Sequence, residues 1–287
     1  MNKGGKVMNW RREALKNIEV FNDTRKYYSS ELLLLTKNVC EATKVYRDPS
    51  MEIGILDIPA PHDTEIIFTD RGTVAAAYGY ASKGIHVAAL NFADALIPGG
   101  YVLDGACTQE ENICRCSNLY ASLTLSWVYK QYYEYNKSML KEQPYYTDTL
   151  IYSPQVCLFK DDITYEYLDT QRVDIITCPS AATRDAVGMT TEELRGILTY
   201  RLDGIIKSAI YNRAEVLILG AWGCGAFGQN TEVMAEIFSN VLSHYKGYFK
   251  IIEFAIRSHT NKKEVFEAVF NEEKNRANNR NNIRRNA

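Results

Sequence analysis

The sequence predicts an α/β fold, a largely parallel sheet with helices on both faces. Three observations predict it. Apolar runs of strand length alternate with amphipathic segments of helical length. Two glycine-dense loops, around Pro98–Gly105 and Gly220–Gly228, each follow a predicted strand and precede a predicted helix. No internal repeat or convincing linker divides the chain. In such sheets ligands bind outside the carboxyl ends of the strands, where both loops would lie.

Taken in order, residues 9–22 (NWRREALKNIEVFN) place Trp10, Leu15, Ile18 and Phe21 at helical spacing. Ser29 or Ser30 would cap a second helix reaching about Ala42. Glu65–Thr69 (EIIFT) reads as a strand, and Asp70 would cap a short helix in RGTVAAAYGYA. Ile85–Asn91 is the next strand; a glycine loop and a helix starting near Gln109 follow it. Residues 121–150, rich in tyrosine, read as helix and then irregular surface. Gln155–Phe159 and Val173–Thr177 are buried strands by composition. Thr190–Arg213 is a long helix opened by Thr191, Glu192 and Glu193, and Glu215–Leu219 (EVLIL) is a strand. Thr231–His244 is helical, Phe249–Ile256 a strand, and Asn261–Asn271 a last helix. From Lys274 the chain (KNRANNRNNIRRNA) is basic and almost without apolar residues, which predicts a disordered tail over 273–287.

The composition excludes several classes. With 287 residues and 46% hydrophobic content the chain can bury a sizeable core. A formal charge of 33 − 35 = −2 provides no basic field, so DNA is not an expected partner. No apolar run is long enough to span a bilayer; Leu32–Leu35 is far too short. The first residues lack a secretory apolar segment, and seven scattered cysteines fit reduced thiols, so a cytoplasmic protein is expected, or a nuclear one if the host is eukaryotic.

The stretch Asn91–Tyr120 (NFADALIPGGYVLDGACTQEENICRCSNLY) carries the functional argument. A glycine loop before a helix N-terminus suits an anion, because free N–H groups point outward there. Two carboxylates, Glu110 and Glu111, stand against that frame, where a phosphate would repel them. The macrodipole alone favours acids in a first helical turn, so their chemistry depends on the loop that abuts them. Neighbours on a helix point about 100° apart, so the two cannot share one role. The second loop, GAWGCGAFG, has Gly220, Gly223, Gly225 and Gly228 within nine residues, dense enough for an N–H nest. Together the loops suggest a clamped diphosphate. Cys107, Cys114 and Cys116 match no common zinc spacing, so no metal is expected. Cys224 could be a nucleophile near a helix N-terminus, but His86, His244 and His259 lie in or beside predicted elements and provide no evident base.

The run LNFADALIPGG…GACTQEENICRCSNLY resembles the signature of microbial-type poly(ADP-ribose) glycohydrolases, a glycine triplet followed by Gln-Glu-Glu. The blocks IYSPQVCLFKDD (151–162), VDIITCP (173–179) and LGAWGCGAFGQN (219–230) agree, so the similarity spans roughly residues 9–270. The resemblance implies a macrodomain-like mixed sheet between helices, with residues 1–45 as an N-terminal helical extension and 46–272 as the catalytic domain. It implies hydrolysis of ribose–ribose O-glycosidic bonds without a cofactor, by a monomer whose partners are poly(ADP-ribose) or ADP-ribosylated proteins. Glu111 matches the catalytic acid and Glu110 the carboxylate that holds ribose hydroxyls. Asn91, Asp94, Gly99, Gly100 and Gln109 would meet substrate, with Gly223, Cys224, Gly225, Ala226, Phe227 and Gly228. Phe227 would pack beside the terminal ribose. Three positions depart from the pattern: Tyr101 replaces the third glycine, Asp94 a smaller or amide residue, and Ser180–Thr183 an Ala-Pro-Asn ending. Tyr101 would restrict φ or crowd the phosphate. A non-catalytic ADP-ribose reader and a mono-ADP-ribosyl hydrolase therefore stand as alternatives.

Overall fold

The computed structural model describes the backbone of residues 3–182, 189–257 and 260–285, and side chains of 10–182, 189–257 and 260–276. The elements run α1 (Lys3–Ser30), α2 (Leu33–Ala42), β1 (Lys44–Tyr46), α3 (Pro49–Glu52), β2 (Glu65–Thr69), α4 (Thr73–Ala81) and β3 (Val87–Phe92). Next come α5 (Gln109–Cys116), α6 (Leu119–Leu123), α7 (Ser126–Val128), a π-helical turn over Tyr129–Glu134, and α8 (Tyr135–Ser138). The chain closes with β4 (Leu150–Lys160), β5 (Tyr167–Cys178), α9 (Thr191–Tyr211), β6 (Val216–Leu219), α10 (Thr231–Ser243), β7 (Ile251–Ala255) and α11 (Lys262–Arg285).

One seven-stranded sheet has the order β1-β4-β5-β3-β6-β7-β2. From β5 through β3, β6 and β7 to β2 every pairing is parallel; β4 is antiparallel to both β5 and β1. The sheet is thus mixed and largely parallel, as expected, and it has a helical layer on each face. The period-2 alternation of β3 and β6 splits the core. Leu90, Leu217 and Leu219 face α9 and α10, with Leu202, Ile206 and Phe238. Val87, Ala89, Val216 and Ile218 face α4 and α5, with Val74, Ala77 and Ile113. Burying such side chains is worth roughly 1.5–3 kcal/mol each, which holds the strand ends, and therefore the loops, in register.

Several local expectations change. The first helix starts earlier and ends later than residues 9–22, and Ser30 closes it by donating to the Lys26 carbonyl (2.9 Å) instead of capping α2, whose N-cap is Leu32. Gly72, not Asp70, is the N-cap of α4. The strand over 155–159 begins at Leu150, because the register shift between Ser153 and Val156 accommodates Pro154 and a left-handed Gln155 (φ 56). The expectation of disorder from 273 onward is corrected over the described backbone: α11 continues to Arg285. That segment has no glycine or proline, and Arg276 pairs with Glu273 (2.7 Å) three residues before it, a spacing that supports a helix. Among the described residues no helix is long and apolar enough to cross a membrane.

Candidate active site

The helix α5 sets the site. Thr108 is its N-cap and Glu111 its third residue, the spacing of a capping box. The box is not closed. Glu111 Oε2 instead accepts the Thr108 hydroxyl, and Oε1 accepts the N–H of Tyr101 at 3.0 Å. The carboxylate is thereby turned away from its own helix and onto the preceding loop. Gln109 points back into the sheet, where Oε1 accepts Phe92 N–H (2.8 Å) and Nε2 donates to Leu90 O (2.7 Å) and Thr73 Oγ1 (3.0 Å). It is a staple between α5 and the end of β3, and it also lines the cleft described below. Behind α5, α1 supports the same loop, with Asn17 Nδ2 donating to Gly105 O (2.9 Å).

Glu110 is 2% exposed and Glu111 4%. Glu110 Oε2 accepts Asp94 N–H (2.7 Å), and Oε1 accepts Asn91 Nδ2 (3.2 Å). Burial pushes the Glu110 carboxyl well above its ordinary range; these two hydrogen bonds oppose that, and the nearby Asp94 and Glu111 add to it. Asp94 is raised as well, first by burial, although Oδ1 accepts Leu96 N–H (2.7 Å) and Ile97 N–H (2.9 Å). Asp94 thus closes its own turn and presents its N–H to Glu110, while Asn91 Oδ1 has no partner among the described residues. Gly99 and Gly100 both adopt left-handed backbone, φ 69 and 58. A Cβ on Gly100 would run into Glu111 Oε1. Gly100→Ala is therefore expected to cost roughly 1–3 kcal/mol, measured as a fall in the urea midpoint. An unchanged midpoint would mean that the Glu111 carboxylate swings away freely.

Tyr101 departs from the expectation built on it. Its backbone, φ −94 and ψ 36, lies outside the region that demands glycine, and its side chain is half exposed. The third position of the turn carries a side chain without strain and still donates its N–H to Glu111.

A cleft of about 540 Å³ opens beside α5, within the size range of nucleotide-sized ligands. Gly223, Gly225, Ala226 and Phe227 line one side. Gly223 must be glycine: its φ is +79, and a Cβ would meet Ser180 Oγ and Gln229. Trp222 Nε1 anchors the loop by donating to Cys178 O at the end of β5 (3.1 Å). Gly228 closes the loop with φ 74 and donates to Gly225 O. Cys224 turns inward; burial pushes its thiol up to about 11, which removes the case for a thiolate nucleophile. His86 is engaged with Asp174 (2.8 Å) on the β5 strand, and His259 lies outside the described residues. Of the three cysteines weighed for metal, Cys107 is exposed at the cleft, whereas Cys114 and Cys116 are buried on α5.

The expected site residues therefore fall into two adjoining groups. Asn91, Asp94, Gly99, Gly100, Glu110 and Glu111 form a buried acid end. Gln109, Gly223, Gly225, Ala226 and Phe227 line the cleft. The other wall was not anticipated: Arg71, Arg257 and Lys262. Arg71 Nη2 is held by the buried Glu253 of β7 (2.6 Å), and Arg257 Nη2 by the buried Asp162 (2.7 Å). The signal was present, because Arg71 and Arg257 follow the strands β2 and β7 by two residues each, at the binding edge of a parallel sheet.

A buried pair of adjacent carboxylates at a helix start, next to Gln109 of a glycine-lined cleft at the sheet's carboxyl edge, is the arrangement of a hydrolase-type site. A family model, microbial-type PARG, catalytic domain, matches residues 14–161, more than half of the chain. The chain belongs to the microbial-type poly(ADP-ribose) glycohydrolase family, and is an enzyme of the glycosidase type. The fold agrees with solved members. A poly(ADP-ribose) glycohydrolase from Thermomonospora curvata is 30% identical, with a TM-score of 0.77 over 90% of this chain and 98% of that one. The same enzyme bound to the inhibitor ADP-HPD is 29% identical, with a TM-score of 0.77 over 90% and 99%. The Deinococcus radiodurans enzyme in complex with ADP-ribose is 31% identical, with a TM-score of 0.73 over 83% and 96%. No curated protein sequence matches the chain.

Proposed function

We propose that this chain hydrolyses the ribose–ribose O-glycosidic bonds of poly(ADP-ribose) and releases ADP-ribose. The observation that carries the proposal is the buried Glu110–Glu111 pair, with Glu111 turned onto the Gly99–Tyr101 loop beside the cleft. The ADP half of the terminal unit occupies the cleft, its diphosphate against the Gly223–Gly228 loop and its terminal ribose between Phe227 and α5. Glu110, whose carboxyl burial pushes upward, binds ribose hydroxyls; Asn91 Oδ1 has spare capacity to accept one. Glu111 gives a proton to the leaving ribose oxygen as the C1″–O bond breaks. The cation left at C1″ has oxocarbenium character. Water then adds at C1″ and its proton returns to Glu111. The two carboxyls follow one another in sequence and are braced by different partners, which fits separate roles.

The unstrained Tyr101 removes the feature that favoured a non-catalytic reader. A cytoplasmic monomer completes the proposal. The test is incubation with poly(ADP-ribose) and chromatography of the products. Release of ADP-ribose by the wild type is expected. Tight ADP-ribose binding without release would make the protein a reader, and release from singly modified protein alone would make it a mono-ADP-ribosyl hydrolase.

A further inference from the structure

The irregular segment between α8 and β4 is built with more care than a connecting loop needs. Arg201 of α9 is fully buried, and its guanidinium is spent almost entirely on this segment: Nε to Asp148 Oδ1 (3.0 Å), Nη2 to Tyr146 O (2.9 Å), and Nη1 to Pro179 O (3.1 Å) at the end of β5. Asn136 Oδ1 adds two more bonds, from the N–H and the hydroxyl of Thr147, both 2.9 Å. Between these fixings Tyr146 holds a left-handed backbone, φ 68, which a residue with a Cβ adopts only when its surroundings enforce it. The reversal has a result. Tyr145 packs, partly buried, against the hydrophobic core, whereas the ring of Tyr146 meets Phe227 edge to face at 6.1 Å and 76°.

Tyr146 is not among the residues that line the 540 Å³ cleft; its ring meets Phe227, and Arg201 ties its carbonyl to that of Pro179, just past β5. On the proposed function, which this inference extends, the ADP half fills the cleft and the terminal ribose lies against Phe227. Whatever stands beyond the scissile bond must then leave the cleft on the acid side. In the polymer that group is the adenosine of the preceding unit. We infer that Tyr146 is a specificity-determining residue that contacts this leaving adenosine, so that the enzyme prefers polymer to ADP-ribose joined to a small alcohol. Aromatic rings recognise bases by their π-faces irrespective of sequence, which suits a uniform polymer.

The test compares wild type, Tyr146→Ala and Tyr146→Phe on poly(ADP-ribose) and on ADP-ribose carrying a trifluoroethyl group at the 1″ oxygen, with ADP-ribose affinity by calorimetry. Tyr146→Ala is expected to lower kcat/KM on polymer about tenfold, a typical loss for a removed base-stacking ring. Its hydrolysis of the small glycoside and its affinity for ADP-ribose should match wild type. Tyr146→Phe, which keeps the ring, should restore most of the polymer rate. Equal losses on both substrates together with weaker ADP-ribose binding would overturn the inference and make Tyr146 a prop for Phe227. No loss on either substrate would overturn it too. Failure of the wild type on both substrates, with ADP-ribose still bound, would instead overturn the proposed function beneath it.

Discussion

Glu111→Gln is expected to lower kcat on poly(ADP-ribose) by about a thousandfold and leave ADP-ribose affinity within a few-fold of wild type. General acid–base groups contribute typically 10²–10⁴-fold. The amide keeps the shape of the side chain, and its oxygen can still accept the Tyr101 N–H that orients Glu111 at 3.0 Å. It cannot give a proton to a leaving oxygen or take one from water. The readouts are single-turnover release of ADP-ribose and calorimetric binding. Turnover at the wild-type rate would show that Glu111 is not the acid. Loss of binding in parallel would show that the carboxylate holds the substrate instead.

The second large effect has opposite signs for stability and for activity. Burial raises the Glu110 carboxyl well above its ordinary range. Between the unfolded value, about 4.3, and the raised folded value, the native state binds the extra proton, so stability falls as pH rises through that window. Glu110→Gln removes this loss. With the Asn91 amide flipped, since its Nδ2 now faces Glu110, the new amide can donate to Asn91 Oδ1, and its oxygen can accept the Asp94 N–H. The variant should melt roughly 2–6 °C higher near neutral pH, with the gain shrinking toward pH 4. Its kcat/KM should fall about ten- to a hundredfold, because a carboxyl proposed to hold ribose hydroxyls has gone. A lower melting temperature at neutral pH would mean that the ionised carboxylate is well compensated in the folded protein. Stability yielded to function in this way is common at binding sites.

The parts legible in the sequence were those with short-range causes. Strands β2, β3 and β6 are each built on a short apolar run (IIF, VAAL and VLIL), and Gln109, Glu110 and Glu111 follow a glycine loop, so strand, turn and helix start could be placed from neighbours alone. What was missed depends on distant pairings. The strand was placed only over Gln155–Phe159, yet β4 runs from Leu150 and absorbs Pro154 in a bulge, because β5 and β1 pair with it on either side. Arg71 and Arg257 reach the cleft only because Glu253 and Asp162, far along the chain, hold them. Gln109, expected at the substrate, lines the cleft, but its amide also braces β3 and Thr73, a role that spacing does not reveal. Tyr101 is the reverse case. The motif suggested a damaged turn, and only the backbone angles show that this corner never required glycine.

The strand order has a consequence in time. During synthesis β3, β5 and β6 have all been made once Leu219 has emerged, so the acid-bearing α5 already has the strands it docks against. β2 is older than all of them, but among the described residues its only strand partner is β7, which inserts between it and β6. Until Ile251–Ala255 leaves the ribosome, β2 has no place in the sheet and Arg71 has no Glu253 to hold it. Non-local parallel pairing of this kind is slow to form. The nascent chain therefore has its acids and the Gly223–Gly228 loop before the Arg71 wall of the cleft, so a product that terminates before β7 would carry both with the cleft missing that wall.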